Sequence, residues 1–192
     1  MLSIYYEDYL TVADLKEYEY CPAIPWINRN LGYVTEATPS MDLGKARASR
    51  EFKVRVAEEL SLPKPYRVEV PVVSRRLRVR GVVDLVAGDR RLAVVEVKAF
   101  RRRRDRARHF RVQLAAYALL ANESLGPVRH AILYLGGDVV RLDVTRDLLV
   151  EAESKIRRLW EVVESEKPPV VRQPPGKCLY CWYRRVCPVS SF

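Results

Sequence analysis

The chain has 192 residues, 48% of them hydrophobic and 30% charged, which is enough apolar material for one folded domain and excludes a disordered tail. Its formal net charge is +10 and its isoelectric point is near 9.6. Clustered lysine and arginine neutralise phosphates and release counterions, so this balance predicts a polyanionic partner. Charge alone leaves DNA, RNA and an anionic membrane surface open.

Hydropathy and amino-acid usage indicate the cellular location and the kind of organism. No apolar run approaches the roughly 18 to 20 residues that span a bilayer, and the opening "MLSIYYEDYLTVADL" has neither a basic leader nor a long apolar segment. We therefore expect a soluble, cytoplasmic protein with no membrane partner. Arginine outnumbers lysine 26 to 8, and Asn, Gln, Met and His are scarce, which fits a thermophile.

The amino-terminal third is predicted to be helical. A short helix is predicted from Thr11, a suitable N-cap, to about Asn30, and it should end near "CPAIPW" because Pro22 and Pro25 disfavour continuation. A second, amphipathic helix is predicted over residues 40–60. Its apolar stripe comprises Leu43, Ala46, Phe52, Val56 and Leu60.

The rest of the chain alternates between strand and helix patterns. Val-rich runs separated by turns predict an antiparallel meander, and later apolar spacings predict two further strands and two helices. The predicted strands are 66–73, 77–86, 92–98, "VRHAILYL" and "DVVRLDV", and the predicted helices are 103–121 and 147–166. We expect a mixed α/β sheet flanked by helices.

Three charged residues interrupt the most apolar strands. Side chains alternate along a strand, so Glu96 and Lys98 share a face, and Asp84 lies on the preceding strand beyond a short turn. Carboxylate oxygens are ligands that Mg²⁺ and Mn²⁺ prefer, and an ammonium can offset charge that develops on a phosphate. This pattern predicts metal-assisted phosphodiester hydrolysis.

A simpler interpretation of the same residues is electrostatic. An E-x-K pair on a strand is usually a solvent-facing ion pair worth about 0 to 1 kcal/mol. The flanking "GVVDLV" and "LAVVEVK" indicate buried strands, where a charge needs a partner. A buried salt bridge between Asp84 and Lys98 therefore stays open beside the metal site.

The following helix presents polar residues to this region. Gln113 and Tyr117 are four residues apart and share a face with His109 and Arg106. A helix beside the strands would place Gln113 and Tyr117 near the carboxylates. Core packing of Tyr117 with a hydrogen-bonded hydroxyl is the alternative.

Four cysteines form a separate pattern. Cys178, Cys181 and Cys187 give C-x2-C-x5-C near the carboxyl end, and Cys21 could supply a fourth ligand from the other end. Four thiolates suit Zn²⁺ or an iron–sulfur cluster, and the ligand type does not choose between them. Disulfide pairing is the remaining alternative.

The ordered motifs G-x-x-D (81–84), E-x-K (96–98) and Q-x-x-x-Y (113–117) resemble the RecB-like branch of the PD-(D/E)xK nucleases. The resemblance implies a restriction-endonuclease-like core. It also implies that Asp84 and Glu96 bind a metal ion with help from the carbonyl of Val97. By the same resemblance Lys98 is the catalytic lysine, and Gln113 and Tyr117 support the site or contact DNA.

One position departs from that family pattern. The family usually has a histidine in the preceding helix, a few residues after a glycine, whereas "GKARASRE" offers Ala48, Ser49 and Glu51 there. Glu51 is a candidate substitute ligand, although a surface glutamate is the simpler expectation.

With the bracketing cysteines, the chain resembles the standalone CRISPR-associated Cas-four family over nearly its whole length. This resemblance implies a [4Fe-4S] cluster on Cys21, Cys178, Cys181 and Cys187, with [2Fe-2S] also compatible. We expect one domain over 1–192, in which 1–30 and 168–192 form a cluster-binding lobe and 40–166 the nuclease core. The cluster's expected role is structural, because it would close a very long loop.

The resemblance implies a metal-dependent exonuclease that acts on single-stranded DNA, with 5′ to 3′ polarity, and processes DNA ends for CRISPR spacer acquisition with the integrase complex. Two alternatives stay open: a zinc-stabilised, non-catalytic nucleic-acid-binding protein, and a RecB-like subunit of a recombination-repair helicase complex.

The run "KAFRRRRDRARHFR" follows the proposed metal site directly and carries eight basic residues against one acidic residue. We interpret it as a clamp on the DNA backbone that does not read sequence, although a solvated charge run is the usual alternative. The assigned arginines are Arg101, Arg102, Arg103, Arg104 and Arg106. Tyrosines of "MLSIYYEDY" and "LYCWYRR" could stack on unpaired bases, and core packing explains them equally well.

Overall fold

A computed structural model describes residues 8–33, 49–98 and 108–190. The strands are β1 (Leu10–Thr11), β2 (Tyr66–Ser74), β3 (Val79–Ala87), β4 (Leu92–Lys98), β5 (Val128–Leu135) and β6 (Asp138–Asp143). The helices are α1 (Val12–Tyr20), α2 (Ala23–Leu31), α3 (Arg50–Glu59), α4 (Arg108–Ser124), α5 (Arg146–Val163) and α6 (Pro175–Leu179).

The six strands form one mixed sheet with β3 at its branching point. β2 pairs with β3 antiparallel along nearly its whole length. β1 pairs in parallel with the start of β3 and β4 pairs antiparallel with its end, so these two strands share the other edge. β5 is parallel to β4, and β6 is antiparallel to β5. The predicted antiparallel meander of β2, β3 and β4 and the mixed sheet are both confirmed.

Helices cover both faces of this sheet. The larger core packs α1, α4 and α5 against one face, and α3 covers a smaller core on the other. The final helix buries its predicted apolar positions, because residues three and four apart share one face of a helix. These positions are Leu148, Ile156, Leu159 and Val163. The mixed sheet flanked by helices is therefore confirmed.

The amino-terminal region differs from the prediction. Thr11 does cap α1, accepting a hydrogen bond from the Asp14 amide while Asp14 accepts one from the Thr11 amide. The chain does not stop being helical at the prolines, because Pro22 is the N-cap of α2 and Pro25 lies in its first turn. A missing N–H is harmless there, since the first amides of a helix have no intrahelical partner.

The other predicted helices agree where the structure describes them. Of the helix predicted over 40–60, the described part runs from Arg50 to Glu59 with Ser49 as N-cap, and Leu43 and Ala46 lie outside the described residues. Of the helix predicted over 103–121, the described part begins at Arg108. Among all described helices, none is long and apolar enough to cross a bilayer.

Candidate active site and cysteine lobe

The two proposed carboxylate ligands meet where β3 and β4 separate. Pairing of these strands runs from Ala87↔Ala93 to Leu85↔Val95, and the next position in that register sets Asp84 opposite Glu96. There the Val97 amide donates a 2.9 Å hydrogen bond to Oδ2 of Asp84. A side-chain carboxylate thus accepts a bond from the neighbouring strand just beyond the regular backbone pairing.

Glu96 is buried and held by two donors. Glu96 is 4% exposed. Its Oε1 lies 2.5 Å from Nζ of Lys98, and Nε2 of Gln113 donates a hydrogen bond to the same oxygen at 3.1 Å. Burial raises the pKa of the Glu96 carboxyl; the charge of Lys98 opposes this rise, and the charge of Asp84 adds to it. A cation is therefore needed to keep Glu96 ionised in this position.

Helix α4 supplies the polar residues that support Glu96. Gln113 is 4% exposed, and its Oε1 is buried without a hydrogen-bond partner among the described residues. Tyr117 lies one turn further on, and its pKa is raised by burial and by the charge of Glu96. A Cβ added to Gly81 would come within 2.8 Å of the Tyr117 ring, so a glycine in the G-x-x-D motif lets this ring pack against β3.

Asp84 has a partner that the sequence reasoning missed. Nζ of Lys53, from α3, lies 3.0 Å from Oδ1 of Asp84 and 3.2 Å from Oε1 of Glu69. The side chain of Lys53 is only 5% exposed. Burial would by itself lower the pKa of this ammonium, but hydrogen bonds and charges from Asp84 and Glu69 outweigh burial and raise it. Asp84 therefore pairs with Lys53, and the suggested Asp84–Lys98 salt bridge is not the one that forms.

Glu69 occupies an unusual place on β2. The register of β2 with β3 pairs Val68 with Leu85 and Val70 with Val83, so Glu69 lies opposite Asp84 in the one unpaired row between them. Its φ is 55°, a left-handed conformation that costs about 1–2 kcal/mol for a residue with a side chain.

The regular alternation of faces breaks at this row. Val83 belongs to the larger core, whereas Leu85, two residues along, belongs to the smaller one. Val70 and Val68 divide between the two cores in the same way. Residues two apart on a regular strand share a face, so both strands twist locally at Glu69 and Asp84.

The sequence contains a pattern that indicates burial of Lys53. Lys53 precedes Val56 and Ala57 by three and four residues, which places it on the buried face of α3. A lysine within an apolar stripe indicates a buried partner. Glu51, the suggested substitute for the family histidine, is instead exposed to solvent and contacts no site carboxylate among the described residues.

The donor set fits a divalent cation by its chemistry. Asp84 and Glu96 provide the oxygen ligands that Mg²⁺ and Mn²⁺ prefer, and the partnerless Oε1 of Gln113 lies beside them. Within 8–33, 49–98 and 108–190, no three His, Cys, Asp or Glu side chains form a ready-made metal site. A cation here would therefore rely on the two carboxylates with backbone carbonyl and water oxygens. The Val97 carbonyl assigned to this role is on the same strand as Glu96.

The four cysteines lie in one lobe, separate from the sheet. Cys21 follows α1, Cys178 lies in α6, and the thiols form no disulfide. Cys21, Cys181 and Cys187 pack against a third apolar cluster. Its buried members are Ala23, Ile24, Trp26, Ile27 and Tyr183. This donor set matches four-thiolate ligation chemically, for iron–sulfur or for zinc.

Two of the later thiols act electrostatically on Cys21, although no three of the described thiols form a ready-made metal site. Burial raises the pKa of the Cys21 thiol; the Ala23 amide opposes this rise, and Cys187 and Cys181 add to it. Neighbouring thiolates repel one another, and a bound cation would relieve that repulsion.

Side-chain hydrogen bonds join the two ends of the chain in this lobe. The indole of Trp26 donates to the Ser165 carbonyl at 2.8 Å, and Nζ of Lys177 donates to the Tyr20 carbonyl at 2.5 Å. Nζ of Lys177 also lies 3.9 Å from the centroid of the Tyr20 ring. Residues 20–26 are thus anchored to the segment after α5.

The predicted arginine clamp is not part of the described structure. Arg101, Arg102, Arg103, Arg104 and Arg106 lie outside the described residues, and so do the tyrosines at positions 5 and 6. The side chain of His109, which was predicted to share the face of Gln113, also lies outside the description.

Comparison with known proteins tests the family expectation. Residues 9–188 match the model of the PD-(D/E)XK nuclease superfamily. The chain is 28% identical to the CRISPR-associated exonuclease Cas4 of Thermoproteus tenax, with 90% of each chain covered. It is 31% identical to the protein of the same name from Aeropyrum pernix, with 92% of this chain and 93% of that one covered.

Solved structures support the fold. The crystal structure of SSO0001 matches with a TM-score of 0.56 at 19% identity, covering 96% of this chain and 88% of that one. A putative exonuclease from Eubacterium rectale matches with a TM-score of 0.57 at 14% identity, covering 94% and 88%. The restriction-endonuclease-like fold and the nuclease activity expected from the sequence are confirmed, and the chain belongs to the Cas4 exonuclease family of the PD-(D/E)XK nuclease superfamily.

Proposed function

We propose that this nuclease is a divalent-metal-dependent exonuclease that degrades single-stranded DNA, 5′ to 3′, and trims DNA ends for the CRISPR integrase complex. The observation that carries the proposal is the meeting of Asp84, Glu96 and Lys98 where the pairing of β3 with β4 stops. The polarity and the place in spacer acquisition rest on the family resemblance.

The site residues have distinct roles in this proposal. Asp84 and Glu96 would hold Mg²⁺ or Mn²⁺, which when bound supplies Lewis-acid activation of the phosphate and of a water. Gln113 fixes the rotamer of Glu96 by donating to Oε1. Tyr117, one turn beyond Gln113 on α4, is buried with its ring against Gly81 of β3. The carboxylates are thereby oriented before substrate arrives.

Lys98 connects the buried carboxylate with solvent. Its side chain is 32% exposed while that of Glu96 is 5% exposed, so the ammonium reaches from Glu96 toward the side where a phosphodiester would approach. An ammonium there offsets the negative charge that develops on the phosphate and can donate to the attacking water. We assign Lys98 this role, and with it the phosphate contact nearest to the scissile bond.

Preference for single strands is supported by the surface of the cysteine lobe. Tyr180 is 84% exposed and Trp182 is 75% exposed. Residues 167–192 contain five basic side chains and no acidic one. Exposed aromatic rings in a basic surface offer stacking to unpaired bases and attraction to the backbone.

We further propose that Cys21, Cys178, Cys181 and Cys187 carry an iron–sulfur cluster, [4Fe-4S] in preference to [2Fe-2S]. Its role would be structural, because it would fasten residue 21 to residues 178–187 across most of the chain. A long closed loop removes conformational entropy from the unfolded chain.

The test is cleavage of DNA oligonucleotides labelled at either the 5′ or the 3′ end, single- and double-stranded, with Mg²⁺ or Mn²⁺. We expect the wild type to shorten single strands progressively, and EDTA to stop it. Asp84→Asn and Lys98→Met should each lose at least about 100-fold of the rate. Asp89→Asn, in the turn between β3 and β4, is the matched control. Undiminished cleavage by both site variants would refute the assignment, and release of single nucleotides from the 3′ end would refute the polarity alone.

A further inference from the structure

We propose that Lys53 is a built-in cation of the active site, which occupies the space between Asp84 and Glu69 and so restricts the site to one divalent ion. This inference rests on the proposed metal dependence. It concerns the number of ions bound and assigns a positioning role to a residue that the sequence motifs do not include.

Three carboxylates lie in a row across neighbouring strands. Glu69 on β2 is opposite Asp84 on β3, and Asp84 is opposite Glu96 on β4. Paired strands such as β2 and β3 are about 4.8 Å apart, and the Asp84 carboxylate bridges the wider gap to β4 by accepting from the Val97 amide. Two-metal nuclease sites hold their ions about 3.5–4 Å apart with a shared carboxylate. The row therefore defines two neighbouring positions for cations, one on each side of Asp84.

The position on the Glu69 side already contains an ammonium. Nζ of Lys53 lies within hydrogen-bond distance of both carboxylates, 3.0 Å from Asp84 and 3.2 Å from Glu69. An ammonium supplies positive charge but no open coordination position, so it cannot acidify a water. It also repels a divalent ion that approaches the same oxygens.

The two lysines of the site, Lys53 and Lys98, differ in how far their side chains are exposed to solvent. The side chain of Lys53 is 5% exposed, and it extends from a helix whose Val56 and Ala57 are fully buried. That of Lys98 is 32% exposed and can shift toward solvent. A divalent ion can therefore enter between Asp84 and Glu96 by moving Lys98, whereas Lys53 has no equivalent route out.

The experiment counts bound Mn²⁺ on the full chain, by electron paramagnetic resonance of free Mn²⁺ and by calorimetric titration. Asp84→Asn provides the baseline, because Asp84 borders both positions. Above this baseline we expect one ion in the wild type and in Lys53→Arg, which keeps the charge. Lys53→Gln, which removes the charge, should bind two. Lys53→Gln combined with Glu69→Gln should return to one.

The outcomes separate this inference from the proposed function. No Asp84-dependent Mn²⁺ in the wild type would overturn the metal dependence itself. Two ions in the wild type, or one ion of unchanged affinity in a folded Lys53→Gln, would overturn the role of Lys53 alone. Thermal unfolding monitors folding of each variant; if Lys53→Gln does not fold, the count in the wild type and Lys53→Arg decides, since two ions in either refutes the proposal.

Discussion

The amide of Val97 donates a 2.9 Å hydrogen bond to Oδ2 of Asp84, and this one contact links the backbone of β4 to the carboxylate of β3. Asp84 therefore has a structural role, because it holds β4 beside β3 where their backbone pairing stops, and an electrostatic role, because it presents negative charge to the site.

Two substitutions at Asp84 separate its structural role from its electrostatic role. Asp84→Asn keeps an oxygen that can accept from Val97 but loses the charge, whereas Asp84→Ala also leaves the Val97 amide without its acceptor. We expect both to be inactive. Urea unfolding should show Asp84→Ala less stable than Asp84→Asn by about 1 kcal/mol or more, because a donor is left unpaired. Equal stability of the two variants would contradict the structural role of Asp84.

Gly81 is predicted to be intolerant of any side chain. A methyl group there would meet the Tyr117 ring at 2.8 Å and Val12 at 3.0 Å, so Gly81→Ala should lose about 1–3 kcal/mol of stability and reduce cleavage. Gly176→Ala is the control, because nothing lies within 4 Å of its added methyl. Thermal unfolding and the single-strand assay measure both effects. A Gly81→Ala protein as stable and active as Gly176→Ala would show that the ring contact does not matter.

Cys21→Ser is predicted to lower iron content and thermal stability together, since Cys21 is the one ligand that the amino-terminal segment would give to the proposed cluster. The measurements are iron analysis, visible absorbance and the melting temperature of anaerobically purified protein. Val170→Ser, at a residue 92% exposed in the same lobe, should change none of these. Full iron in Cys21→Ser would remove Cys21 from the ligand set. A colourless, iron-free wild type that still folds would point to zinc instead.

An exposed ion-pair network should give the fold an acid-sensitive component. Arg76, in the turn after β2, donates to both oxygens of Glu153 on α5 at 2.6 and 2.8 Å. Hydrogen bonds from Arg76 and Arg157 lower the pKa of Glu153 from 4.5 to about 2. The stabilisation is therefore complete above the unfolded pKa and is lost as the pH falls from about 4.5 to 2.

Glu153→Gln tests this network. It should lower stability by about 1 kcal/mol at pH 7, and the difference from wild type should shrink as the pH falls below about 4.5 and vanish only below pH 2. Urea unfolding across this pH range measures it, and the neighbouring Glu151→Gln, whose only described ion pair is a longer contact to Arg111, should show a smaller effect. A difference that is independent of pH would rule out the ionised pair as its source.

The exposed rings of the cysteine lobe should contribute to binding of unpaired bases. Tyr180→Ala and Trp182→Ala are each predicted to weaken binding of single-stranded oligonucleotides at least about fivefold, since one stacked base is worth about 1–3 kcal/mol. Binding of duplex DNA should change less. Fluorescence anisotropy at fixed salt measures both. Val150→Ala removes an exposed apolar side chain elsewhere and serves as control; equal effects on single and double strands would argue against stacking.

The sequence by itself determined the order of the strands β2–β6 and of the helices α3, α4 and α5, but it predicted neither β1 nor α6. It also determined the pairing of Asp84 with Glu96 and the support from Gln113, because these follow from local periodicity and short turns. The sequence also indicated the family, because the order and spacing of the three motifs match the family pattern. It misread Pro22 and Pro25, since proline in a first helical turn begins a helix as readily as it ends one.

Only the tertiary structure decided what neutralises Asp84. Lys53 and Glu69 are 16 residues apart and belong to no motif, and they meet because α3 packs across the end of β2 and β3. The packing of Cys21 against the same apolar cluster as Cys181 and Cys187 likewise depends on how α2 packs against the segment after α5. Periodicity specifies which face of an element is buried, but which charges meet there is set by the packing of elements distant in sequence.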